Sequence, residues 1–191
     1  FHGCEQLKSI EVSEGNQHFP VVDGLVFGQD MKSIMSCITF TKREYEIPDI
    51  VTTICARSFS YCEDLELITI PESVKEIGDV AFSNCGALTS ISIPGSIEAM
   101  GSNPFANCIN LMEIMVFGRT QNFKVVDGAL FNREMTRLIW YPCQKSGSYE
   151  IPRTVKTIDS LAFISCVNLT SITISDSITE ITTGAFAICS A

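Results

Sequence analysis

Charge is scarce in this chain. Only 18% of its 191 residues are charged, and 13 Lys and Arg face 22 Asp and Glu, for a net charge of -9. Nucleic-acid binding needs clustered Lys and Arg to displace counterions from phosphate, so no nucleic-acid partner is expected. Long apolar runs are missing too. No stretch of about 18 apolar residues occurs, the length a membrane-spanning helix requires, so no direct membrane insertion is expected. The first residues, Phe1-His2-Gly3-Cys4, show no basic region followed by an apolar stretch of the kind a secretory leader carries. Histidine is nearly absent, with His2 and His18 alone, so a Ser/His/Asp or Cys/His centre lacks its usual base. There is no Gly-rich phosphate loop and no C-x-x-C pair. Catalytic residues, cofactors and metal ligands are therefore all assigned as none, and the chain is read as not an enzyme.

What is abundant is apolar residues, at 46%, too many for a disordered chain. They recur in a fixed frame. From Ile70 the chain reads IPESVKEIGDVAFSNCGALTSIS, and units of the same 23-residue length start at Ile47, Ile93 and Ile151. The shared frame is I-P-x-x-V/I-x-x-I/M-x-x-x-x-F-x-x-C-x-x-L-x-x-I. A longer period lies above it. Residues 12–46 and 116–150 are both 35-residue units, 104 residues apart. That offset aligns Val21-Val22-Asp23-Gly24 with Val125-Val126-Asp127-Gly128, and Tyr45-Glu46-Ile47-Pro48 with Tyr149-Glu150-Ile151-Pro152. It also sets His18 against Asn122, which marks position 18 as a polar surface site.

Each repeat implies one coil of a solenoid. Ile68-Thr69-Ile70 and its equivalents alternate apolar and polar, the mark of a short half-buried strand. Pro48, Pro71, Pro94 and Pro152 end that strand, because proline has no N–H for a ladder. The V-x-x-I stretch predicts a second extended side, and A-F-x-x-C predicts one short helical or 3₁₀ turn. One coil cannot bury its own apolar residues, so stacking like on like must build the core and run the strands into parallel sheets. In the long units, two apolar runs flank the connections Gly28–Met31 and Asn132–Met135, which predicts a β-hairpin standing off each coil. Gly24 and Gly128 are expected to form a bulge or tight entry into its first strand. The predicted plan is one unit over 1–191: standard coils 47–69, 70–92, 93–115 and 151–173, long coils 12–46 and 116–150, and partial coils 1–11 and 174–191. With no cap recognisable at either end, a stretch of a longer array is expected, able to associate end to end.

The I-P, V-x-x-I, A-F-x-x-C and L-x-x-I positions together resemble the BspA-like leucine-rich-repeat family of bacterial and protozoan surface proteins. The resemblance covers essentially the whole chain and departs only at Ser175, where proline is expected, and at Pro104, where alanine is. It implies a leucine-rich-repeat solenoid, mainly β, with parallel stacked strands. It also implies a cell-surface or secreted location and adhesion to another protein, such as a host or extracellular-matrix protein.

Of the nine cysteines, Cys4, Cys62, Cys85, Cys108, Cys166 and Cys189 fall at one repeat position. A small apolar side chain suits a buried turn, so these are expected to be a ladder of buried free thiols. Cys37, Cys55 and Cys143 are off the ladder. Acidic Glu63-Asp64-Leu65-Glu66 is read as a solvated turn, because other coils carry neutral residues there. The candidate binding face is the outward side of the strands: Ser9, Glu11, Leu67, Thr69, Ser90, Ser92, Glu113, Met115, Ser171 and Thr173. Trp140 and Tyr141, on the second hairpin, are further candidates, since aromatics are enriched at binding hot spots, although Trp140 could equally cover core. The function expected is a non-catalytic protein-binding or adhesion module. A structural spacer, or a carbohydrate-binding module using Trp140 and Tyr141, are the alternatives.

Overall fold

A computed structural model describes residues 11–13, 16, 18–37, 40–118 and 122–189. The first long unit contributes β1 (Val21–Val22), β2 (Leu25–Phe27), β3 (Ser33–Cys37) and β4 (Glu44–Glu46). Each short repeat then supplies two strands: β5 (Thr53–Ile54) and β6 (Leu67–Thr69), β7 (Glu76–Ile77) and β8 (Ser90–Pro94), β9 (Ala99–Met100) and β10 (Glu113–Phe117). The second long unit repeats the plan with β11 (Phe123–Val126), β12 (Ala129–Asn132), β13 (Arg137–Trp140) and β14 (Gly147–Glu150). The strands β15 (Thr157–Ile158), β16 (Leu169–Thr173) and β17 (Glu180–Ile181) follow.

Equivalent residues stack on one another. On one side β4, β6, β8 and β10 run parallel, with Tyr45 opposite Ile68 and Ile91 opposite Ile114. On the second side β3, β5, β7 and β9 run parallel, with Ile34, Ile54, Ile77 and Met100 in one row. The corner between the two sides is a turn in which the proline carbonyl accepts from the amide three residues on, as in Val74 to Pro71 at 3.1 Å. The coils meet so closely after β7 that a Cβ at Gly78 would lie 2.4 Å from the Ala56 nitrogen.

The third side differs from the expected helical turn. No helix occurs among the described residues. Two positions four residues apart take positive φ in every standard coil: Arg57 and Tyr61, Val80 and Asn84, Asn103 and Asn107, Leu161 and Ser165. A right-handed helix allows neither. The left-handed residues turn alternate amides outward along the solenoid. Arg57, Phe59 and Tyr61 donate to the carbonyls of Asp79, Ala81 and Ser83 in the next coil, at 3.0, 2.8 and 2.8 Å. Ser58, Ser60 and Cys62 close local turns on Cys55, Arg57 and Phe59. The stack therefore gains a third ladder where a helix would have spent those donors on itself.

Inside, the frame's phenylalanines form a pile. Phe59, Phe82 and Phe105 stack with centroids 5.2 and 5.7 Å apart, and Phe163 stacks on Phe186 at 5.1 Å. The long units do not send a hairpin out into solvent as expected. Each folds as a three-stranded antiparallel meander, and its last strand is itself a rung of the solenoid's second side: β3 pairs with β5, and β13 with β15. Asp23-Gly24 and Asp127-Gly128 are the two-residue loops of the first hairpins, with φ of 54 and 79, and 49 and 80 degrees. Positive φ at both central positions is what a type I′ turn needs, so these glycines follow a short first strand rather than entering it. The physical reason for the inward placement is burial: Leu25, Phe27, Leu130 and Phe131 are all fully enclosed.

The second long unit divides the core. Val125, Leu130, Ile139 and Trp140 pack with the cluster that runs from residue 25. Val126, Ala129, Phe131, Leu138 and Tyr141 pack with the cluster on the other side. A bulge makes this possible: Leu130 opposes Trp140 while Phe131 opposes Leu138, leaving Ile139 as the extra residue. The first unit carries the same bulge, with Val26 opposite Ser36 and Phe27 opposite Ile34. At this joint Arg137 donates from Nε to Asp159 Oδ1 at 2.7 Å, holds Nη2 at 2.6 Å from Oδ2, and reaches the carbonyls of Met100 and Gly101. It thus ties the last coil before the joint to the first one after it.

Two predictions follow from the inward frame and the joint. Phe82→Ala should lower stability by about 3–5 kcal/mol by emptying a stacked core position, while Ser92→Ala on half-exposed β8 should change it by less than about 0.5 kcal/mol. Urea unfolding measures both, and similar losses would contradict the frame. Arg137→Ala should cost about 3 kcal/mol at neutral pH by leaving the Asp159 carboxylate buried alone. Burial already pushes that carboxyl above its ordinary pKa, against the pull of Arg137. A raised folded pKa means the stability linked to this group is full below the ordinary carboxylate value and is lost as pH rises through the folded value. The variant's deficit should therefore shrink as unfolding is measured at progressively more acidic pH.

Candidate binding face

The outward residues of the first parallel sheet form two rows. One runs Glu44, Leu67, Ser90, Glu113 and the other Glu46, Thr69, Ser92, Met115, as the strand register sets them. Leu67 and Met115 are 47% and 45% exposed, and Phe117 at the end of β10 is 44% exposed. Leu67 and Met115 lie two strands apart and in different rows, a diagonal of about 12 Å. Ser90 and Ser92 are half-buried between them. Glu44, Glu46 and Glu113 are exposed, so apolar side chains stand among carboxylates. At the rim Arg43 donates to Glu66 of the next coil, and Lys42 lies 2.7 Å from Asp23.

The other sequence candidates do not join this surface as one strip. Ser9 lies outside the described residues, and Glu11 is exposed but belongs to no strand. Ser171 and Thr173 are exposed on β16, which pairs with β14 in a separate sheet. β11 packs beside β10 at the joint, and among the described residues β10 has no strand partner beyond β8. The expected single face is therefore two faces. Glu44, Glu46, Ser148 and Glu150 were missed as outward residues. The signal was there, because the frame aligns Tyr45-Glu46 and Tyr149-Glu150 with Ile68-Thr69. Phe117 was missed because it lies beyond the usual strand end, where β10 continues opposite Pro94.

Trp140 and Tyr141 are not on the surface. Both are 3% exposed. Trp140 meets Phe105 edge-on at 6.5 Å, and Tyr141 packs on Phe163 at 5.0 Å. They are consecutive residues that seal the two sides of the joint. Burial also pushes the Tyr141 and Tyr149 hydroxyls up from their ordinary pKa, so both stay protonated. His18 is exposed, with Nδ1 3.3 Å from Gln29 Oε1. Among the described residues no cluster of three His, Cys, Asp or Glu side chains could hold a metal, and no helix is long and apolar enough to cross a membrane.

The sequence pattern described as a BspA type leucine rich repeat region, in six copies, matches residues 31–140 and again 132–191. This chain belongs to the BspA-type leucine-rich-repeat family. Among solved structures, the pneumococcal vaccine antigen PcpA is similar over 76% of this chain and 37% of its own, with 32% identity and a TM-score of 0.71. A leucine rich cell surface protein from Faecalibacterium prausnitzii is similar over 75% of this chain and 38% of its own, with 36% identity and a TM-score of 0.68. A leucine-rich repeat protein from Eubacterium ventriosum shares the fold at 23% identity and a TM-score of 0.54, over 85% of this chain and 60% of its own. A search of curated protein sequences gives no match. This BspA-type chain thus spans less than two-fifths of the first two proteins' lengths.

In this BspA-type array, core and face should differ in their response to mutation. Trp140→Ala should cost about 3–5 kcal/mol, whereas Met115→Lys should stay within about 0.5 kcal/mol of the parent. Thermal or urea unfolding of the two variants reads this, and a mild Trp140→Ala would put the indole back on the surface.

Proposed function

We propose that this chain is a non-catalytic protein-binding and adhesion segment of a cell-surface protein, and that it docks through the outward side of β4, β6, β8 and β10. One observation carries the reading. Leu67, Met115 and Phe117 stand exposed among Glu44, Glu46 and Glu113 on a sheet held rigid from behind by stacked phenylalanines. Rigid strands present side chains without an ordering cost at binding, and extended solenoid surfaces serve this use. The mixture of apolar and acidic groups suits a protein partner with apolar patches rimmed by Lys or Arg. A surface location is supported by the Faecalibacterium prausnitzii protein, described as a leucine rich cell surface protein, and by PcpA, described as a pneumococcal vaccine antigen. With Trp140 and Tyr141 buried, the carbohydrate-binding reading loses the aromatic platform it relied on.

The experiment is a binding screen of the immobilised chain against purified extracellular-matrix proteins, with a glycan array beside it. Saturable binding to a protein is expected, weakening as salt rises. A Leu67→Arg/Met115→Arg double variant should unfold like the parent yet bind at least about tenfold more weakly, the effect of losing about 1.4 kcal/mol. Binding to glycans alone, or protein binding indifferent to the double variant, would refute the assignment.

A further inference from the structure

Three of the ladder cysteines share one hydrogen-bonding habit. Cys85, Cys108 and Cys189 point their thiols at the carbonyls of Phe59, Phe82 and Phe163 in the preceding coil, at 3.2, 2.9 and 2.9 Å. Cys62 follows a long unit, so no phenylalanine of the frame stands behind it. Its sulfur lies instead 2.9 Å from the sulfur of Cys37, at the end of β3. The second copy lacks this pair, because Tyr141 stands where Cys37 would be and Cys166 turns to the Ile164 carbonyl at 3.8 Å. The contact is therefore a property of the first long unit and not of the repeat.

We propose that Cys37 and Cys62 are a redox-active dithiol, which a small disulfide compound oxidises to an intramolecular disulfide joining the first long unit to the coil after it. Two sulfurs this close need only a small side-chain rotation to reach the bonded distance of about 2.05 Å. Their coils are neighbours in the stack, and 25 positions separate the two cysteines. Access differs between them: Cys37 is half-buried and Cys62 is buried. The chemistry then has a direction. The Cys37 thiolate attacks one sulfur of the disulfide compound and expels a thiolate, leaving a mixed disulfide. Cys62 loses its proton to the expelled thiolate and attacks the Cys37 sulfur, releasing the second thiolate, which solvent protonates. The protein pair gives up two electrons and two protons, and one disulfide becomes two thiols. The hydrogen bond from Cys62 lowers the Cys37 pKa while the same contact and burial raise that of Cys62, which agrees with Cys37 as the attacking group. Cys85 and Cys108 also have each other's sulfur close by, but both are buried and each thiol donates to a phenylalanine carbonyl, so they stay reduced.

The test uses the whole chain, fully reduced and then held in its folded state with oxidised glutathione. Acid quenching, denaturation and alkylation count the remaining thiols, and peptide mass mapping locates the link. The expected result is two fewer of the nine thiols, one cross-linked peptide pair containing Cys37 and Cys62, and full reversal by reductant. Cys37→Ser and Cys62→Ser should abolish the link, and Cys85→Ser should leave it intact. The oxidised parent should also unfold at higher urea than its reduced form, a shift absent from Cys37→Ser. No loss of thiols, a link between other cysteines, or a stable glutathione adduct on Cys37 that Cys62 never displaces would overturn the proposal.

Discussion

The structure depends on one constraint: each coil can bury its apolar residues only against a copy of itself. The stacked rings of Phe59, Phe82 and Phe105 express it most directly, because a ring finds its best neighbour in the same ring one strand spacing away. Everything that repeats does so to hold that spacing. The isoleucine rows pair in register on two sides, and the left-handed turns add a third ladder of hydrogen bonds. Gly78 lets its backbone approach Ala56 where a Cβ would not fit. A change at any one position is felt by the coil above and the coil below.

The two long units show how the stack accommodates an interruption. Each inserts a meander whose last strand replaces the normal second-side strand, so the ladder continues while the extra chain is absorbed. In the second unit the meander has coils on both of its faces and is apolar on both. Its bulge puts Ile139 and Trp140 on one side and leaves Leu138 and Tyr141 on the other. The cost is a break in the outward strand face, which ends at β10 and resumes as β14 and β16. Joint and binding face are thus coupled: the residues that divide the core also decide how long an uninterrupted surface the chain can present. The same interruption removes a phenylalanine carbonyl from behind Cys62 and brings Cys37 in its place.

The repeat frame, the outward and inward alternation, and the burial of Cys62, Cys85, Cys108 and Cys166 were legible in the sequence because each follows from local periodicity and like-on-like stacking; of the other two ladder cysteines, Cys189 is half-buried and Cys4 lies outside the described residues. So was the family, from residues at fixed spacing. The chemistry of the third side was not. A-F-x-x-C has the length of a helical turn, and only the neighbouring coil's carbonyls make left-handed residues such as Val80 and Ser165 worth their strain. Glu46 and Glu150 could have been placed on the face from the frame alone, whereas Phe117 could not, since its exposure depends on where β10 ends.

The sequence by itself determined the solenoid, because a 23-residue apolar frame admits no other way of burying its isoleucines. Only the tertiary structure decided the fate of Trp140 and Tyr141 and the partnership of Cys37 with Cys62. Both involve residues of the long units, Trp140, Tyr141 and Cys37, where the short period is suspended and no repeat says what lies opposite. There the partner of a side chain is set by how two successive coils meet in space, and pattern along the chain carries no information about that meeting.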